Sequence, residues 1–109
     1  MSRVRTVGAA GNDTTVALRF GERLRIAPDR PGCAREWRVA GYPRAVLRAT
    51  GGAAGRTVEF DAIGLGSGTV RLTATAASVA CVRSPTTFSL RVRVLRELVK
   101  RPVVDSNDE

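Results

Sequence analysis

Histidine is absent from this chain of 109 residues, and cysteine occurs only twice. Without an imidazole there is no Ser-His-Asp triad, no histidine general base and no histidine metal ligand. Two cysteines alone fall short of the four nitrogen or sulfur ligands that a structural zinc takes, so no metal and no cofactor is expected. Aromatic residues make up 5% of the chain, which leaves the core to Val, Leu, Ile and Ala. No apolar run approaches the roughly 20 residues of a membrane helix. The opening residues also lack the pattern of a secretory leader. The expectation is a cytosolic protein or one whose leader has been removed.

Other catalytic signatures are missing too. Ser67 and Ser84 have no activating partner nearby in sequence, and the acidic residues are scattered singly. Glu59 and Asp61 share one strand face, where solvent is the expected surrounding. The run Gly64-Leu65-Gly66-Ser67-Gly68 looks phosphate-like, but it lacks the Gly-Lys-Ser/Thr ending and no helix follows. A turn with positive backbone dihedrals accounts for it better. The chain is not expected to be an enzyme.

What the chain has in excess is arginine. The net charge is +8, and of 18 basic residues only Lys100 is a lysine. With the abundance of Ala, Gly and Val, this bias looks like that of a high-GC bacterial genome. The arginines are spread along the chain, so a solvated surface is the first reading. A phosphate-binding face built from Arg23, Arg25, Arg71, Arg91 and Arg93 is the alternative, with nucleic acid an unlikely partner. Hydrophobic residues reach 43%, enough for a single globular domain over residues 1–100. Beyond Lys100 the composition turns acidic, and residues 101–109 are expected to form a disordered tail.

The dominant period is two. Thr15–Phe20 sets Val16, Leu18 and Phe20 against Ala17 and Arg19, and Arg23–Ala27 sets Leu24 and Ile26 against Arg23 and Arg25. Thr57–Ala62, Thr69–Thr75 and Phe88–Val94 alternate in the same way. Each pattern fits a strand with one buried and one wet face. Weaker strands are expected at Val4–Val7, Trp37–Ala40 and Val46–Ala49, and Leu95–Lys100 either turns helical or prolongs the last strand. Turn residues punctuate the runs, from Gly11-Asn12-Asp13 to Ser84-Pro85. Seven to eight short strands so spaced imply an all-β, immunoglobulin-like antiparallel β-sandwich.

The cysteines, Cys33 and Cys81, leave one disulfide or two buried thiols. Both fall in loops rather than at inward strand positions, which favours the bridge. A loop of that length, once closed, contributes about 4 kcal/mol in the chain-entropy model and points to an oxidising compartment. Trp37 follows Cys33 by four residues, whereas immunoglobulin domains separate these residues by about a dozen. The bridge therefore belongs at one end of the sandwich, and Trp37 in the core.

The residue order resembles that of the chagasin family, immunoglobulin-like inhibitors of papain-type cysteine proteases. Thr14–Phe20, Gly21-Glu22 and Arg23–Ala27 match the family's opening in order and spacing. Its first inhibitory loop falls on Arg30, Pro31, Gly32, Cys33, Ala34 and Arg35, ahead of the matching Trp37. Pro31 and Trp37 are retained, while the family's Asn, Thr-Thr-Gly and aromatic are not. Gly51, Gly52, Ala53, Ala54 and Gly55 resemble its glycine-rich second loop. Cys81, Val82, Arg83, Ser84 and Pro85 occupy the third, with an Arg and a Pro but no Trp.

The resemblance implies that these three loops cluster at one end and enter a protease cleft. It also implies that Cys33 and Cys81 sit on neighbouring loops, with Arg30 and Arg35 on the rim facing an acidic cleft. The expected function is partner binding through these loops, as a cysteine protease inhibitor or a diverged relative, monomeric and without a membrane span. The alternative is a non-inhibitory bacterial immunoglobulin-like module of a secreted or surface protein, since GSGTVRLTATA also looks like a late strand of such repeats. An extracytoplasmic location follows from the bridge, and a cytoplasmic one from free thiols.

Overall fold

In a computed structural model, residues 3–30, 32–33, 35–50, 54–74 and 85–96 are described. Nine strands form among them: β1 Val4–Val7, β2 Thr14–Arg19, β3 Arg23–Ile26, β4 Trp37–Gly41, β5 Leu47–Thr50, β6 Ala54–Gly55, β7 Val58–Ala62, β8 Gly66–Ala74 and β9 Thr87–Leu95. They make two sheets, β1-β3-β7-β5 and β2-β9-β8-β4-β6. Alternation decides which side chains go in. Val16 and Leu18, Leu24 and Ile26, Val58 and Phe60, Val70 and Leu72, and Phe88 to Val94 at every second position are all buried. These faces meet in one core between the sheets, as a period of two requires.

The expected immunoglobulin-like sandwich is present, with two refinements. The central pairs are antiparallel, but β1 runs parallel to β3 and β2 runs parallel to β9. The opening segment causes this: β1 lies in one sheet, a 3-10 turn over Ala9–Gly11 carries the chain across, and β2 joins the other. Gly11 suits that crossing, because a Cβ there would press on the Val7 Cγ1 methyl and force it to move. The crossing is fastened to β9, where Asn12 Oδ1 accepts from the Ser89 N–H and the Asp13 N–H donates to the Ser89 carbonyl. The second refinement is β6, a two-residue strand at the edge of the second sheet.

Other expectations are corrected. Phe20 continues the inward alternation of β2 on paper but is 53% exposed. The strand stops at Arg19, and Gly21, with φ +94°, turns the chain toward the first sheet. Ser67 and Gly68 belong to β8 and not to a turn, and Gly66 alone of that run has positive φ, at +138°. Gly64 and Gly68 serve close approach instead, since a Cβ would meet the Ala45 carbonyl oxygen at 2.2 Å and Pro43 at 2.5 Å. Glu59 and Asp61 are not simply solvated: they pair with Arg23, Arg25 and Arg48 across the first sheet. The Leu95–Lys100 segment is strand only to Leu95, with residues 97–109 outside the described range.

The arginines named for a phosphate-binding face do not share one. Arg23 and Arg25 stand on the outside of the first sheet, directly opposite Asp61 and Glu59. Arg71, Arg91 and Arg93 are exposed on the outside of the second.

Candidate functional site at the loop end

Registers identify one end of the sandwich. In the first sheet Ile26 pairs with Val58, and Thr50 with Glu59. In the second, Trp37 pairs with Ala74 and Gly55, and Thr73 with Thr87. The strand ends that launch the three expected loops, after Ile26, Thr50 and Ala74, therefore lie together. The Ala74 N–H donates to the Thr86 carbonyl and closes the foot of the third loop.

The first loop is built around a buried ion pair. The Arg35 side chain is 4% exposed and that of Asp29 9%. Arg35 Nε and Nη2 donate to Asp29 Oδ1 at 3.0 and 2.7 Å, while the Arg35 backbone N–H donates to Oδ2 at 2.7 Å. Nη2 also donates to the Pro85 carbonyl at 2.8 Å, tying the first loop to the foot of the third. Beneath it, the guanidinium carbon lies 4.9 Å from the centre of the Trp37 ring, a cation–π contact. Burial alone would raise the Asp29 carboxyl. The hydrogen bonds from the Arg35 side chain and backbone outweigh that cost and hold it below its ordinary value. The Trp37 indole adds a smaller favourable effect without reaching a well-formed hydrogen bond.

Arg35 is thus not on the rim, as the resemblance implied; its charge is turned inward and neutralised. Arg30 remains exposed, as do Gly32 and Glu36. The Cys33 N–H donates to the Arg30 carbonyl at 3.0 Å, closing a turn in which Gly32 takes φ +90°. Such a dihedral is costly for any residue with a Cβ. Cys33 is buried, and no cysteine among the described residues is free.

Of the second loop, Ala54 and Gly55 form β6 against Arg38 and Trp37, an edge strand and not open loop. Of the third, Pro85 is exposed at its foot. Pro31, Ala34, Gly51, Gly52, Ala53, Cys81, Val82, Arg83 and Ser84 lie outside the described residues.

Two further features mark this end. Pro28, Arg30, Trp37, Pro85 and Phe88 line a hollow of about 120 Å³. Trp37 is itself core, 1% exposed and edge-on to Phe88 at 6.5 Å. Three buried polar atoms among the described residues lack a hydrogen bond: Arg35 Nη1, Trp37 Nε1 and Thr50 Oγ1. All three belong to this end, where a group left dry costs about 1–3 kcal/mol. Among the described residues no cluster of three metal-ligating side chains occurs, and no helix is long and apolar enough to cross a membrane.

Two solved structures share this architecture. The cysteine protease inhibitor EhICP2 from Entamoeba histolytica aligns with a TM-score of 0.57 at 13% identity, over 86% of this chain and 97% of its own. Amebosin, solved in solution, aligns at 0.59 and 20% identity, over 85% of this chain and 98% of its own. The fold is chagasin-like. No family model and no curated protein matches the chain in sequence.

Within the chagasin-like fold, the Gly21-Glu22 pair has a plain physical role. Gly21 makes the turn, and buried Glu22 accepts from the Arg19 backbone N–H and holds it closed. Asp29 was invisible to motif reading. Its only signal is an acidic and a basic residue bracketing a Pro-Gly turn, and that signal carries no information about burial.

Proposed function

We propose that this chain binds a protein partner through the loops at the Ile26–Trp37 end, as an inhibitor of papain-type cysteine proteases or a diverged relative of one. The observation that carries the reading is the Arg35 clamp, which fastens the first loop to Asp29 and to the foot of the third through Pro85. Fixing the first loop against the foot of the third before contact lowers the entropy cost of association. The inhibitor named among the similar structures supports the same class of partner. A non-enzymatic role fits as well, because binding requires nothing beyond shape, donors and the rim charge of Arg30.

The setting belongs to the same reading. Buried Cys33 pairs with Cys81, the bridge reinforces the clamp, and the protein works outside the reducing cytoplasm. Intact and reduced masses differing by two protons would support the bridge, and two alkylatable thiols in the native protein would remove it together with the location.

Titration of papain by the purified chain tests the function. Inhibition in the nanomolar to micromolar range, weakened by Arg30→Glu, is the expected result. The absence of inhibition at any soluble concentration would leave the non-inhibitory module. That second reading has its own support: Arg35 is spent internally, and few exposed side chains remain on the described part of the first loop.

A further inference from the structure

The opposite end of the sandwich carries surface that the loop-end function does not use. Four large hydrophobic side chains are exposed among the described residues: Val4 at 48%, Phe20 at 53%, Ile63 at 41% and Leu65 at 50%. All four lie at this far end. Val4 opens β1 opposite Arg23, Phe20 tips the β2–β3 turn, and Ile63 and Leu65 flank Gly64 between β7 and β8. Phe20 and Leu65 share a hollow of about 230 Å³ with Arg96. Exposed apolar groups gathered on one end of a small domain mark a contact surface.

Among the described residues, the unpaired charge around them has one sign. Arg3, Arg19, Arg44 and Arg96 are exposed at the same end, and none makes an ion pair among the described residues. The described carboxylates at this end are already engaged: Glu22 is buried in its turn, and Asp61 holds Arg23 and Arg48. The basic surface continues up the outside of the second sheet. There Arg93 faces Ala17 and Ser67, Arg91 faces Thr15 and Thr69, and Arg71 faces Ser89, none of them a carboxylate; Asp13 lines a hollow beside Arg91 toward the loop end. The outside of the first sheet is the internal control, because its arginines are matched register by register with Glu59 and Asp61.

We propose that the far end docks on an anionic lipid surface, with Phe20, Ile63 and Leu65 entering the headgroup boundary and the arginine collar meeting lipid phosphates. The tips rise from separate segments and do not form one groove. A bilayer yields around each side chain, whereas a protein partner would have to match them in shape. Juxtaposed basic and apolar groups are what stable interfacial binding needs, since neither signal suffices alone. Single-stranded nucleic acid fits less well, because the basic sheet face offers no aromatic ring for base stacking. Docked in this way, the protein presents its loop end away from the surface.

The test uses the full chain and vesicles of phosphatidylcholine with or without about 30% phosphatidylglycerol. Phe20→Trp supplies a reporter, since the native Trp37 is buried at the other end. The expected result is a blue shift of the new indole and co-sedimentation with the anionic vesicles only. Each arginine contributes about fivefold, so Arg19→Glu with Arg96→Glu weakens partition at least about twentyfold. Phe20→Ser with Leu65→Ser weakens it about tenfold or more. Near-ultraviolet dichroism of Trp37 reports that the variants remain folded. No sedimentation with anionic vesicles overturns the proposal, as does binding that survives both pairs of substitutions. Binding to heparin or DNA without binding to vesicles assigns the arginines to a different polyanion and likewise overturns it. Papain inhibition is untouched by either outcome.

Discussion

At the loop end, polar and charged groups have been taken out of water and tied to one another, as in Asp29, Arg35 and the Pro85 carbonyl. At the far end, Phe20 and Leu65 have been left in water, and four arginines make no ion pair among the described residues. Neither arrangement is what stability alone would select. A buried ion pair is at best a modest net gain over apolar packing, and an exposed phenylalanine forgoes burial altogether. What the first achieves is a fixed loop geometry, because one carboxylate is held at once by two guanidinium N–H groups and a backbone N–H. The second achieves contact area that is already dry-seeking and needs no rearrangement to be used.

The largest effect expected from breaking this contrast is at Asp29. Asp29→Ala strands the Arg35 guanidinium in a 4%-exposed site, and the loss should reach about 3–5 kcal/mol in urea unfolding. A loss under about 1 kcal/mol would mean the clamp relaxes into solvent and does not order the loop. Acid sharpens the same point with a smaller effect. The folded Asp29 carboxyl lies below its ordinary value of 3.8, so its contribution is complete above that pH and is lost as pH falls through the lower folded value. Unfolding midpoints measured downward from pH 5 should therefore drop in the native chain. Asp29→Asn should flatten that part of the curve, and an unchanged acid limb in the variant would contradict the assignment. The smallest effect is at the far end. Phe20→Ser should change stability by no more than about 0.5 kcal/mol, whatever it does to binding. A large loss there would show that Phe20 packs in solution and that the apolar end is not free.

Much of the scaffold was legible because a period of two survives in β2, β3, β7, β8 and β9. Their inward residues are all chosen by the same alternation that burial requires. Alternation says nothing about strand direction, so the parallel pairs β1–β3 and β2–β9 were beyond it; they follow from where the chain crosses between sheets. Phe20 shows the other limit. Its position in the pattern was inward, but the backbone turned one residue earlier, and a pattern cannot see its own end.

The site was legible in position more than in chemistry. Spacing located the first loop, and Gly32 and Cys33 play turn and core roles within it. Yet Arg35 looked like rim charge, because the sequence marks its sign and not its depth. Ala54 and Gly55 looked like loop because two residues are too few to carry a period.

The parallel pairing of β2 with β9 has a consequence for how the molecule is made. Thr14 faces Leu90, so the first strand of the second sheet finds its neighbour only in the last. On the ribosome, β2 emerges early and must wait, unpaired, until β9 has been synthesised. Contacts so distant in sequence make for slow closure, and an unpaired strand edge is a site for wrong partners meanwhile. β9 is therefore the strand that completes this sheet, in time as well as in space.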